Sequence, residues 1–397
     1  MLYRLFSYCL LASTLLAACA SAPPVASPPT RLWHDEAFAP VDNLVNAEQV
    51  LAVSESMGQY LKYELAPLLR RQGAVRGLVT ALTQPEWLQL HYDAGMTRTA
   101  AQAFDSRSGN CLSLVILTAA LAHELGIQVH FHEVLTDELW SRQSGMYVSS
   151  GHVNVTLGRP LSGPRGYDPA SSLTIDFLPP AQAQTLPIKP LTERTVLAMF
   201  MNNRAAEAIA QHDLDLAYAW ARAAMVQDPG FLSAYNTLAV VYLRHGQAQA
   251  AEASLRHLLG LMPTHTQGLS NLVLALRAQG RMVEAEVTAS TLRRLEKVAP
   301  FEYFNLGMEA LKAGDAMAAR DWFRKELARD PDYHEFHFAL ARAELKLGHV
   351  KVAQHELELA AANSPPHATM ELYSAKLAYL RQLRQSSPEG VDLHPAQ

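Results

Sequence analysis

Apolar residues recur at helical spacing in two stretches near the start of the folded part of the chain. Over residues 42–71 they return every three or four positions, which predicts one long amphipathic helix. The same spacing predicts a second, short helix over residues 73–83. Both precede the segments that carry candidate chemistry.

A third helix is predicted to begin in the sequence Ser108-Gly109-Asn110-Cys111. Asn110 or Ser108 can cap its start, and Gly126 suits its C-terminal end. Its apolar stripe consists of Leu114, Leu117, Leu121 and Leu125. Cys111 then becomes the first helical residue, where the unpaired backbone amides and the helix dipole favour a thiolate.

Three later segments alternate apolar and polar residues and predict strands over residues 127–134, 152–157 and 173–178. In the second strand Val153, Val155 and Leu157 share one face, which leaves His152 and Asn154 on the other. Asp176 lies in the polar phase of the third strand. If these two strands pair, His152 and Asp176 lie side by side on one face of the sheet.

A cysteine at a helix start that faces a histidine and a carboxylate is typical of nucleophilic catalysis, in which the cysteine is the nucleophile, the histidine is the base and the carboxylate orients the histidine. The candidate catalytic residues are Cys111, His152 and Asp176. The backbone amide of Cys111 and, more weakly, Asn110 are candidate donors to an oxyanion. Asp168 is the alternative orienting group, although the following Pro169 favours a turn there.

Two further features of this region leave alternatives open. His130 and His132 share a strand face like a pair of metal ligands, but no third ligand is evident, so we expect neither a metal nor a cofactor. The segment 158–172 contains three glycines and three prolines and is either a flap beside the site or a plain connector.

The order of helix with Cys, strand with His and strand with Asp resembles the transglutaminase-like domain of the papain-like cysteine enzymes, over residues 36–195. The resemblance implies an α+β fold in which Cys111 attacks an amide or ester carbonyl, His152 takes its proton and Asp176 orients His152. The acyl group then passes to water or an amine. The aromatic residue that many members carry after the histidine is replaced here by Val153 and Asn154, and no calcium-loop pattern is present. Loss of catalysis with the fold retained is the alternative.

The C-terminal half repeats itself every 34 residues. The glycine column comprises Gly246, Gly280, Gly314 and Gly348, and an alanine column keeps the same spacing at Ala251, Ala285, Ala319 and Ala353. A proline column at Pro229, Pro263, Pro331 and Pro365 has Lys297 in its one missing slot. The pattern resembles the tetratricopeptide repeat and predicts an all-α solenoid over residues 196–385.

Within that solenoid, full repeats are predicted at 232–265, 266–299, 300–333 and 334–367. A divergent repeat at 198–231 precedes them, a closing helix at 368–383 follows, and residues 386–397 form a disordered tail. The first helices of the pairs line a concave groove that suits a peptide or protein partner. Candidate groove residues are Asn236, Val240, Ser270, Leu274, Phe304, Met308, Phe338 and Arg342; inter-helix packing is the alternative for each.

The N-terminus is predicted to direct export. Residues 1–18 form a short apolar signal peptide, and Leu16-Ala17-Ala18-Cys19 resembles the bacterial lipobox, which implies lipidation of Cys19. By resemblance to lipoprotein sorting in enterobacteria, Ala20 in place of Asp implies the outer membrane, facing the periplasm. The Pro- and Ala-rich residues 19–35 then form a tether, and an ordinary secretory signal is the alternative.

Composition narrows the function further. With 49% hydrophobic residues the chain can form sizeable cores, and the net charge of −5 without a basic run argues against nucleic-acid binding. Once Cys9 and Cys19 are assigned to the N-terminus, Cys111 is the thiol that remains. The sequence therefore predicts a lipid-anchored periplasmic cysteine enzyme acting on an amide bond, as peptidase, amidase or acyl transferase. The alternative is an inactive envelope scaffold that binds proteins through its repeats.

Overall fold

The computed structural model describes most of the chain beyond the N-terminus. The described ranges are 27–84, 86–93, 95–134, 140–143, 146–149, 152–160, 167–177, 187–295 and 301–364. The predicted signal peptide and Cys19, the closing helix at 368–383 and the tail lie outside them. Among the described residues, no helix combines the length and the apolar character needed to cross a membrane.

The long helix predicted for residues 42–71 is wrong, because the chain interrupts it. The observed helices are α1 (Ala47–Val50), α2 (Glu55–Gln59), a π-helical turn (Tyr60–Leu65), α3 (Ala66–Gln72) and α4 (Ala74–Thr83). The side chain of Asn46 caps α1, and that of Ser54 caps α2 by accepting from the amide of Met57. Each cap starts a new helix, and local capping overrides the continuous apolar period.

Helix α6 (Cys111–Glu124) begins at the predicted residue and follows the short α5 (Ala100–Ser106). Every residue from Leu112 to Ala122 is buried, so the helix is covered on all sides and not only along the predicted stripe. Gly126 adopts a φ of +65° just after the helix, as its predicted C-terminal role requires. Helix α6 is therefore the central element of the α+β part.

An antiparallel four-stranded sheet packs against α6, with strand order β7-β6-β3-β8. Its members are β3 (Val129–Val134), β6 (His152–Pro160), β7 (Tyr167–Ile175) and β8 (Ile188–Leu191). Two small pairs accompany it: β1 (His91–Tyr92) with β2 (Ser108–Gly109), and β4 (Trp140–Gln143) with β5 (Met146–Ser149).

Strand β7 departs from its prediction at both ends. It begins at Tyr167, so Asp168 lies within a strand and not in the predicted turn, and it ends at Ile175, so Asp176 follows it directly. The predicted 158–172 loop is likewise strand at both of its ends, and residues 161–166 lie outside the described residues. Pairing with β6 outweighs the turn preference of the Asp-Pro sequence.

The C-terminal half is a tetratricopeptide-repeat-like solenoid of antiparallel helix pairs. The pairs are α7 (Glu193–Ala210) with α8 (Leu214–Gln227), α9 (Leu232–Arg244) with α10 (Ala248–Leu261), α11 (Thr266–Ala278) with α12 (Met282–Leu295), α13 (Glu302–Lys312) with α14 (Ala316–Leu327), and α15 (His334–Lys346) with α16 (Val350–Asn363). The four column glycines have φ between +73° and +88°, which the turn between paired helices requires. The four column alanines are almost fully buried where the helices approach.

A single hydrophobic core joins the α+β part to the first repeats. It runs without a break from Leu32, through the residues of α6 and β6, to Ala289 on α12. A second core begins at Phe301 and holds the later repeats. The α+β part and the first three helix pairs therefore form one packed body.

Candidate active site

The candidate nucleophile lies at the start of the buried helix α6. Cys111 is its first residue and is partly exposed, and it is the one cysteine among the described residues. Its backbone amide belongs to the first turn, whose amides find no acceptor within the helix. This position leaves the sulfur accessible and surrounds it with positive partial charge.

His152 and Asp176 meet as the strand pattern predicts. Strands β6 and β7 pair antiparallel with Val155 opposite Ile175, which brings the end of β7 alongside the start of β6. His152 Nε2 donates to Asp176 Oδ1 at 2.7 Å, and the two side chains are only 4% and 14% exposed. Because Nε2 faces the carboxylate, Nδ1 is the ring nitrogen available to Cys111, whose side chain also contributes to the raised pKa of His152.

The electrostatics of this triad favour a protonated imidazole. Burial alone would lower the pKa of His152, but hydrogen bonds to Asp176 and Cys111 outweigh it and raise the pKa to about 9. Desolvation raises the pKa of Tyr92, on β1, to about 12, with smaller contributions from Cys111 and Asp93. In general, a protonated imidazole beside a cysteine strengthens that cysteine as a nucleophile.

Asn154 and His132 extend the triad, and sequence analysis did not assign them this role. Asn154 Nδ2 donates to Asp176 Oδ2 at 3.3 Å, and Asn154 Oδ1 lies 3.2 Å from His132 Nδ1. Both side chains are buried, and desolvation lowers the pKa of His132. The available signal was the phase of β6, because Asn154 follows His152 by two residues on the same face. His132 therefore supports the carboxylate through Asn154.

Side-chain hydrogen bonds fix the start of α6. Asn110 Oδ1 accepts from the amide of Ser113 at 2.9 Å and from its hydroxyl at 2.7 Å. Asn110 Nδ2 donates to Thr97 Oγ1 at 2.9 Å. Asn110 is thus engaged at both ends of its side chain in capping, and the amide of Cys111 is the better placed of the two predicted oxyanion donors.

The predicted groove residues divide into two groups. Asn236 Oδ1 accepts from Asn271 Nδ2 at 2.9 Å, and Leu274 is 51% exposed one turn further along α11. Arg342 is also exposed, while Val240, Ser270 and Met308 are half-buried. Four of the predicted residues serve inter-helix packing: Phe304 is part of the second core, and the partly buried Val240, Met308 and Phe338 pack against the first core, the second core and a third cluster of Ala341, Ala353 and Leu357.

The solved structures that are similar to this chain cover about half of its length. No protein-family model and no curated protein matches the chain. A thermophilic TPR protein of Thermus thermophilus is 18% identical, covering 47% of this chain and 99% of its own, with a TM-score of 0.31. Yeast Tom70 is 15% identical over 47% of this chain and 40% of its own, with a TM-score of 0.34. The pilF protein of Pseudomonas aeruginosa is 20% identical over 49% and 88%, with a TM-score of 0.30.

Proposed function

We propose that this protein is an interaction scaffold whose solenoid binds a protein or peptide. The observation that carries this proposal is the regular stack of helix pairs with exposed side chains, among them Leu274 and Arg342, on the first helices of the pairs. Stacked helix pairs of this kind offer an extended concave surface for a partner. Leu274 is apolar and Arg342 is charged, which suits a peptide with both kinds of side chain.

Site-specific photo-crosslinking tests this proposal. A photoreactive residue at Leu274 or Arg342 should capture a partner that a probe at Val283, which is 80% exposed on the second helix α12, does not capture. The captured partner, once purified, should bind the wild-type protein saturably and the Leu274→Glu variant more weakly. Equal capture from all three positions would refute binding at the groove.

A second function is supported by the Cys111–His152–Asp176 geometry: a transglutaminase-like cysteine centre that acts on an amide bond. The sulfur of Cys111 would attack the carbonyl carbon after its proton has moved to His152, and the amide of Cys111 would stabilise the oxyanion. The C–N bond then breaks, and the leaving amine takes the proton from His152. Water or an amine, deprotonated by His152, releases the acyl group from the thioester and restores the thiol.

Thiol labelling tests the second function. We expect iodoacetamide to alkylate Cys111 at pH 7 faster in the native chain than in the denatured chain, with Cys111→Ser used to subtract labelling at other cysteines. His152→Gln should remove that advantage. Slow labelling that depends on unfolding would reject the nucleophile and leave the scaffold function standing.

We further propose that the chain is a lipid-anchored envelope protein. The support is the Leu16-Ala17-Ala18-Cys19 sequence after an apolar stretch. Expression in bacteria fed a palmitate analogue should label the wild-type chain and not the Cys19→Ser variant. Equal labelling of both would exclude lipidation at this cysteine.

A further inference from the structure

A chain of hydrogen bonds links the first solenoid helix to the start of the helix that carries Cys111. Glu207, on α7, accepts at Oε1 from the backbone amide of Thr97 at 2.7 Å. The side chain of Thr97 continues the chain, because its Oγ1 accepts from Asn110 Nδ2 at 2.9 Å. Asn110 in turn caps α6 through Ser113. Thr97 and Asn110 thus connect the Glu207 carboxylate of the solenoid to the start of α6, which carries Cys111.

The surroundings of this chain indicate a fixed contact. Thr97 is 1% exposed, and the amide of the next residue, Arg98, donates to Ser113 Oγ at 2.8 Å. Burial raises the pKa of Glu207, whereas its bonds to Thr97 and the nearby Arg204 act in the opposite direction. Arg204 Nη1 lies 2.5 Å from Glu207 Oε2 and supplies the counter-charge. A half-buried carboxylate that has a neutral donor on one oxygen and a charged donor on the other has little freedom to move.

We propose that Glu207 is a positioning residue for the thiol centre: through Thr97 it holds Asn110, and thereby the helix start that presents Cys111, in a fixed place relative to the first repeat. The inference rests on the proposed thiol function and adds to it a physical link between solenoid and nucleophile.

The same two helices offer a matched control. At the opposite end of α6, His123 Nε2 lies 3.3 Å from Glu193 Oε2 at the start of α7, and both side chains are 43% exposed. Glu193→Ala therefore removes a carboxylate contact between α6 and α7 without altering any residue at the start of α6. Glu207→Ala removes the acceptor of Thr97, and Glu207→Gln retains one oxygen for the Thr97 amide.

Two readouts on the full chain test the inference. We expect Glu207→Ala to speed hydrogen exchange in the peptide spanning residues 108–116 and to slow alkylation of Cys111 at pH 7 by about three- to tenfold, the scale of one lost hydrogen bond. Glu193→Ala should change both rates by less than about twofold, and Glu207→Gln should restore most of the loss. If Glu207→Ala lowers the folded fraction, two variants of Thr97 replace it. Thr97→Val removes the hydroxyl that accepts from Asn110 and should change both rates, whereas Thr97→Ser retains the hydroxyl and should not.

The outcomes separate this inference from the proposed function. Unchanged exchange over residues 108–116 in Glu207→Ala, or an equal change in Glu193→Ala, overturns the positioning role. If the wild-type thiol is alkylated no faster than the denatured chain, the thiol function fails, and the exchange readout still decides whether Glu207 holds the helix start.

Discussion

His152 makes the stability of the protein depend on pH at the scale of one residue. Its pKa rises from 6.5 to about 9 in the folded state, through Asp176 and Cys111 and against the effect of burial. The stabilisation is therefore complete below about pH 6.5 and is lost as the pH rises through 9. We expect the denaturation midpoint of the wild type to fall over this window more than that of His152→Gln. Asp176→Asn should bring the pH dependence of the denaturation midpoint closer to that of His152→Gln. If the midpoint depends on pH identically in the wild type and both variants, the ion pair between His152 and Asp176 is contradicted.

We expect Asn154 to contribute to the unfolding free energy and to the alkylation rate of Cys111. Asn154→Ala leaves Oδ2 of the partly buried Asp176 without its Asn154 donor, which should cost about 1–3 kcal/mol of unfolding free energy and slow alkylation of Cys111. Thr156→Val is the matched control, because Thr156 lies next on the same face of β6 and bonds Thr174 Oγ1 at 2.7 Å, away from the triad. Loss of alkylation rate in the control as well would assign the effect to the sheet and not to Asp176.

At the scale of the element, a glycine inside α13 permits the close approach of α14. A Cβ on Gly307 would lie 2.4 Å from Cε1 of Phe323, whose side chain is fully buried in the second core. Gly307→Ala should therefore lower the unfolding free energy by about 1–3 kcal/mol, because the ring must shift. Gly260→Ala in α10 is the control: its Cβ meets nothing within 4 Å, so the better helix propensity of alanine should leave stability equal or higher. Equal effects at both glycines would contradict the tight packing.

Elements built from local contacts were predictable from the sequence, and those built from distant contacts were not. The 34-residue columns predicted the solenoid because each glycine and alanine acts within its own helix pair. The starts of α6 and β6 followed from a capping sequence and a two-residue alternation. The sequence did not predict the break at residues 51–54, where capping by Ser54 starts a new helix. It also did not predict the early start of β7, which follows from pairing with β6. The Thr97–Glu207 contact joins residues 110 positions apart and leaves no pattern in either segment.

At the scale of the whole molecule, the one repeat that lacks the column proline lies where the first hydrophobic core ends and the second begins. Lys297 stands where the other repeats carry proline, and it lies between the last residue of the first core, Ala289, and the first residue of the second, Phe301. The first core includes α6 and β6 together with three helix pairs. Among the residues that the structure describes, the candidate site thus shares a core with the first repeats, and Phe301 and the residues after it belong to separate clusters.

The N-terminal segment packs onto the solenoid and contributes Leu32 and Phe38 to the first core. Residues 30–35, which the sequence placed in the tether, form a 3-10 turn and begin a second one against the solenoid. Phe38 stacks on Tyr218 with ring centroids 4.1 Å apart, and the hydroxyl of Tyr218 donates to Asp35 Oδ1 at 2.7 Å. The hydroxyl of Tyr242 donates to the carbonyl of Leu32 at 2.6 Å. These contacts hold the start of the described chain against α8 and α9.

Removing the stacked ring should release this segment without unfolding the rest. In Phe38→Ala we expect trypsin to cleave after Arg31 much faster than in the wild type, since the segment must leave the solenoid to enter the protease. A double-mutant cycle with Tyr218→Ala should give a coupling of about 0.5–1.5 kcal/mol for the aromatic pair. Tyr63→Ala is the control, because Tyr63 is 67% exposed on the α+β part and its loss should leave the Arg31 site protected. Retained protection in Phe38→Ala would mean that the remaining contacts, chiefly those of Leu32 and Asp35, hold the segment by themselves.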